Sequence, residues 1–185
     1  MLKHSLRNFD PKAVAELETD MWQAYYQHKF SKLFRLLIRL FKYQFGTSGT
    51  TNLRLAYYST KAARIFRRSG DEDATLKNLE LFYEILQKHS AENFDKTLAA
   101  KTELNWWIIH RYPKKGVLAE ALAENMAILY SLSSKPLLKY GEFRAQAMDL
   151  RDTAIHKEKR ELDWLTIQEY LNKSYDALSS AVTVQ

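Results

Sequence analysis

The chain of 185 residues contains no cysteine, only 5 glycines and 3 prolines, and between Met21 and Gly70 not one aspartate or glutamate. Without cysteine there are no disulfides, no thiolate-bound metals or iron–sulfur clusters and no cysteine nucleophile, and a reducing compartment, the cytoplasm, is the expected setting. With so little glycine there is no room for a glycine-rich phosphate loop, and neither GxGxxG, a Walker motif, GxSxG nor HExxH is found. Long apolar runs are missing too. The opening MLKHSLRNFDP lacks the apolar centre of a secretion signal, and runs such as Trp106 to Ile109 are far too short to span a bilayer. No stretch alternates with period two over the length of a strand, so no sheet is expected.

What remains is a helical pattern, and the expected fold class is all-α: residues 1–185 as a single domain, a bundle of six or seven helices with one long N-terminal helix. Asp10-Pro11 reads as N-cap and first helical position, where the missing proline N–H costs nothing. The apolar stripe Trp22, Tyr26, Phe30, Leu33, Leu37, Phe41, Phe45 then steps by three or four without a break, which predicts one helix from Pro11 to Phe45 ended by Gly46. Further helices are expected over Leu53–Arg68, from the acidic turn Asp71–Asp73 to His89, from Ser90 or Asp95 to Tyr112 ahead of Pro113, along Leu118–Leu129, from Ser133 or Ser134 to Arg151, and from the cap Asp163 to Val182. The run Arg151–Glu161 reads as a solvated extension or a loop. Glu18-x3-Trp22 and Glu103-x3-Trp107 form a faint echo, which would make 11–90 and 93–183 two related halves.

The missing acids expose the most distinctive feature. Ten of the 28 basic residues fall in 21–70, leaving 18 basic against 22 acidic residues elsewhere. Helical spacing puts Lys29, Lys32, Arg35, Arg39 and Lys42 on one side of the first helix, opposite the apolar stripe, and Arg54, Lys61, Arg64 and Arg68 with Tyr57 on one side of the next. Such segregation is a statement about partners. The function expected from it is non-catalytic binding of an acidic macromolecule through the 21–70 segment, with nucleic acid placed ahead of an anionic membrane surface or an acidic protein. A plain solvated face is the bland alternative, although no acid is interspersed among these cations, as the i,i+4 pairing of ordinary helices would require. The small-residue face Ala56, Ser59, Ala62, Ala63 would suit close helix packing or a homo-oligomer.

A second expectation comes from polar residues on apolar faces. Glu18 lines up with Trp22; Glu103 and His110 share the most aromatic side of their helix with Trp106 and Trp107; Arg144 falls among Leu137, Tyr140 and Met148; Asn125 among Leu118, Leu122 and Leu129. A buried carboxylate needs a cation, a metal or a proton. The structural reading is a satisfied network of Glu18, Glu103 and Arg144. The functional alternative is a small-molecule or metal-binding bundle enzyme with an interior site around Glu18, Glu103, His110 and Arg144. A metal is the weaker version, because the chain has no Glu-x-x-His and because Glu103 and His110 are about 10.5 Å apart along a helix; neither a metal nor a cofactor is expected. A carboxyl pushed up in pKa by tryptophan walls would instead serve as a general acid. His4, His28, His89 and His156 are expected at the surface.

Overall fold

The computed structural model describes residues 3–158 and 161–183. It is all-helical, with 82% helix and no strands among the described residues. In order the helices are α1 (Pro11–Tyr26), α2 (Phe30–Phe45), α3 (Gly49–Ser69), α4 (Glu72–His89), α5 (Lys96–Arg111), α6 (Leu118–Tyr130), α7 (Leu138–Asp152) and α8 (Trp164–Thr183), with short 3-10 turns at Pro113–Lys115 and Lys135–Leu137. Each helix packs against the next, and α8 returns to pack against α1, so the bundle closes into a ring. The ring surrounds a core that includes Leu55, Leu79, Leu86, Leu129, Leu137, Leu171 and Leu178, all at 1% exposure or less.

Eight helices replace the expected six or seven because the long N-terminal helix does not exist. It breaks at Gln27–Lys29, between α1 and α2. His28 adopts the left-handed conformation (φ 55°), its N–H donates to Tyr25 O at 3.1 Å, and the Lys29 N–H donates to Ala24 O at 2.8 Å. This pair of bonds is a Schellman motif that uses up the last carbonyls of α1. Glycine usually takes that position; histidine is among the few other residues that tolerate it, and so leaves little signal in the sequence. Phe30, expected in the stripe, consequently stands at the start of α2 and is 53% exposed. A second non-glycine terminator of the same kind, Ser131 (φ 53°), ends α6.

The expected caps are present at Asp10, Asp71 and Asp95, each accepting backbone N–H bonds, and at Asp163, which accepts from the Thr166 N–H. Helix α3 begins four residues before Leu53, at Gly49. The run after Arg151 is neither loop nor ordinary helix: Thr153–Glu158 is a π-helical turn continuing from α7. Residues 159 and 160 of that run lie outside the described residues, as does the side chain of His156.

Two features escaped the sequence reading. The first is an N-terminal strap across one end of the bundle. Glu92 accepts from Ser5 Oγ and the Leu6 N–H at 2.7 and 2.9 Å, and Arg7 donates to the carbonyls of Val182 and Tyr130, both at 2.8 Å, so it caps the C-terminal ends of α8 and α6. The second is Gly141, where a Cβ atom would stand 2.0 Å from the Ala119 carbonyl oxygen; α6 and α7 touch backbone to backbone there. His89, expected at the surface, is half-buried: its Nδ1 is 2.8 Å from Ile85 O and its Nε2 3.1 Å from Thr51 Oγ1.

Candidate functional site

The side-chain contacts place Glu18 beside Arg144, Trp22 and Tyr26 beside Arg151, and His110 beside Asp152, so α1, α5 and α7 run in the same direction and carry two polar levels. On α5 and α7 the levels are separated by seven or eight residues, about 10–12 Å of helix rise.

The lower level holds three of the four candidate interior-site residues, Glu18, Glu103 and Arg144. Arg144 grips Glu18 with both guanidinium ends, Nη2 to Oε1 at 2.5 Å and Nη1 to Oε2 at 2.7 Å, while the Tyr175 hydroxyl donates to Oε2 at 2.6 Å. The side chains of Glu18 and Arg144 are 3% and 12% exposed. Burial opposes the Arg144 charge, but Glu18 outweighs it and keeps the guanidinium protonated. Tyr140 lies under the same guanidinium, 5.9 Å from its centre, and burial pushes the phenol up to about 12.

Glu103 is on this level but does not join that ion pair. Its carboxyl accepts a short hydrogen bond from the Tyr83 hydroxyl, and Asn125 Nδ2 reaches Tyr83 Oη at 3.3 Å, Ala99 O at 3.1 Å and Thr102 Oγ1 at 3.1 Å. Burial raises the Glu103 pKa above the usual carboxylate range, against the opposing hydrogen bond from Tyr83 and the charge of Arg144. Some of its surface nevertheless remains open to solvent.

His110 belongs to the upper level. Its Nε2 is 2.7 Å from Asp152 Oδ2, and Arg151 Nε donates to Asp152 Oδ1 at 2.8 Å. Burial opposes ionisation of Asp152, but hydrogen bonds from His110 and Arg151 outweigh it and hold the carboxyl at about 2. Arg151 is buried, with its guanidinium carbon 4.6 Å from the Trp22 ring centre and 5.8 Å from that of Tyr26. Asp152 and Arg151 were not singled out beforehand. Arg151 sits seven residues after Arg144, on the same side of the helix, and that spacing was the available signal.

The 21–70 cations take a different position. Lys29, Lys32, Arg35, Arg39, Lys42, Arg54, Arg64 and Arg68 are exposed and Lys61 is half-buried. None of the nine is within ion-pair distance of an acid among the described residues. Two of the exposed aromatic residues lie among them: Tyr43 at 43% and Tyr57 at 52%, with Lys61 Nζ 5.6 Å from the Tyr57 ring centre. Arg67, not singled out beforehand, instead turns to α1, donating to the Tyr25 hydroxyl at 3.0 Å. On α3 the row from Arg54 to Arg68 extends about 21 Å.

Among the described residues no group of three or more histidine, aspartate or glutamate side chains could hold a metal ion, and no helix is long and apolar enough to cross a membrane. Comparison with protein-family models, with curated proteins and with solved structures finds no match, so the chemistry of these side chains is what speaks for function.

Proposed function

We propose that the protein is a helical binding module that engages nucleic acid through the cation rows of α2 and α3. One observation carries the reading: eight of the nine cations are exposed and none has an acidic partner among the described residues. A face built only for solubility intersperses both signs, because i,i+4 pairs lower its self-repulsion. Here the repulsion is left uncompensated, as it is where phosphates supply the counter-charge. Exposed Tyr43 and Tyr57 add ring faces of the kind on which bases stack.

An anionic membrane is the rival partner, and the packing of α2 weighs against it. A helix lying in a bilayer interface buries its apolar side in lipid. In α2 that side is committed to the core through Leu36, Leu40, Phe41 and Phe45, so cations are what face outward. The buried Glu18–Arg144–Tyr175 cluster has its charges and hydrogen bonds satisfied internally, and it supports a structural role.

The test is retention of fluorescently labelled single- and double-stranded oligonucleotides as salt is varied, alongside flotation with anionic vesicles. Wild-type affinity should fall steeply with salt, with a slope of about 0.7 to 0.9 per phosphate contacted. Reversal of Lys32, Arg35, Arg39 and Arg64 to glutamate should abolish binding. Unchanged binding by the reversed protein, or capture by vesicles and not by oligonucleotides, would overturn the reading.

A further inference from the structure

Aromatic rings stand among the cations of α2 and α3. The exposed large aromatic residues among those described are Phe30, Tyr43, Tyr57 and Tyr112; three of the four lie in the acid-free segment, so exposed rings and unpaired cations coincide. At about 100° per residue, Tyr43 and Tyr57 each fall within about 60° of the middle of their own helix's cation row. Neither hydroxyl makes a hydrogen bond among the described residues. Tyr57 touches one other ring, that of Tyr58, and the contact is near-perpendicular, at 75° with ring centres 5.1 Å apart. Both rings are therefore held at the surface with no protein ring stacked upon them.

Cations alone favour a duplex, whose charge per unit length is the higher. The shape of the face works against one. An α-helix reads bases by entering a major groove about 12 Å wide, and for that it must stand clear of its neighbours. Here α2 is flanked by α1 and α3, and α3 by α2 and α4. Two helices of about 10–12 Å diameter, packed with axes about 8–10 Å apart, present a front of about 20 Å. Neither helix enters the groove, so duplex bases stay out of reach and the two rings have nothing to stack on. The bases of a single strand are free to turn toward them.

We infer, on the reading of the cation face given above, that the partner is single-stranded nucleic acid bound without sequence preference, its bases stacking on Tyr43 and Tyr57 and its phosphates paired with the flanking cations. Lys61 and Arg64, four and seven residues beyond Tyr57, are on the same side of α3 for the phosphates next to a base on that ring. Lys61 Nζ already stands 5.6 Å from the ring centre. Stacking accepts any base, because every base has a π face, and it adds to affinity without adding ionic contacts. Ring and cation thus have separable signatures: the cations set how steeply binding falls with salt, and the rings set how far a strand with bases outbinds one without.

The probes are labelled oligo(dT), oligo(U), a mixed-sequence duplex and a fully abasic oligodeoxynucleotide, all of one length, titrated with the full chain at several salt concentrations. The better of the two single strands should bind at least about fivefold tighter than the duplex, and oligo(dT) at least about fivefold tighter than the abasic strand. Whichever of oligo(dT) and oligo(U) binds tighter names the sugar and supports the inference. Tyr43→Ala with Tyr57→Ala should weaken that binding at least about tenfold, since stacking of two bases at about 1 kcal/mol each amounts to about thirtyfold. The salt slope should stay as in the wild type, because no ionic contact is lost. Affinity for the abasic strand should not change, and phenylalanine at both positions should restore binding to oligo(dT). If the alanine variant fails to fold, the wild-type comparison of oligo(dT) with the abasic strand decides. A duplex bound as tightly as the better single strand, an abasic strand bound as tightly as oligo(dT), or a folded alanine variant weakened less than about threefold would overturn the inference and leave the cation face standing. Absence of salt-dependent binding to every probe would overturn both.

Discussion

Replacing Arg144 by methionine removes the cation from a carboxylate that has almost no access to water. Glu18 loses two hydrogen bonds, at 2.5 and 2.7 Å, and keeps the Tyr175 hydroxyl at 2.6 Å as its one remaining donor. With the Glu18 side chain 3% exposed, solvent screening offers little relief. Breaking a buried pair on one side costs about 3–5 kcal/mol. For a chain of this size that corresponds to a fall in Tm of roughly 10 °C. The loss should shrink as the pH is lowered far enough to protonate the orphaned carboxyl. Adding Glu18→Leu should recover much of it, since two charges no longer need to be desolvated. The recovery stays incomplete because the Tyr175 hydroxyl is then buried without a partner, a cost of about 1–3 kcal/mol. Tyr175→Phe in the triple variant should return that remainder. Urea unfolding followed by far-UV circular dichroism, run as a double-mutant cycle, measures each step. An Arg144→Met loss below about 1 kcal/mol, or a double variant no more stable than the single, would refute the account of a structural ion pair.

Glu103→Gln should behave in the opposite way. The Glu103 pKa is raised by burial, so the folded state holds that proton more tightly than the unfolded one, and stability is complete below the unfolded value near 4.3 and falls as pH rises through the folded value. Glutamine still accepts from Tyr83 and carries no charge, so the variant should be the more stable at neutral pH and flat across that window; urea midpoints between pH 4 and 8 check this, and a less stable variant at neutral pH would count against it. Gly141→Ala should cost at least the about 1–3 kcal/mol of ordinary overpacking, because its Cβ would meet the Ala119 carbonyl oxygen rather than a movable side chain. A variant with unchanged urea midpoint would mean that α6 and α7 are not in backbone contact.

The sequence by itself determined that the protein is helical, where most helices start and which cations lie outward. Those properties are local: Asp10, Asp71, Asp95 and Asp163 cap their helices through bonds within one turn, and the face taken by Lys32, Arg35 or Arg64 follows from 3.6 residues per turn. The break at His28 was hidden because a left-handed histidine lacks the signal that glycine gives, and the apolar stripe passes through it in phase. Tertiary structure decided the partners of the polar residues. Sequence placed Glu18, Glu103, His110 and Arg144 on apolar faces of their own helices, but pairing Glu18 with Arg144 rather than Glu103, and His110 with Asp152, depends on how the ring closes and on the relative height of α1, α5 and α7. The strap by Arg7 and the contact at Gly141 arise from the same source, for both join segments distant in the chain whose approach is fixed by packing around the whole core.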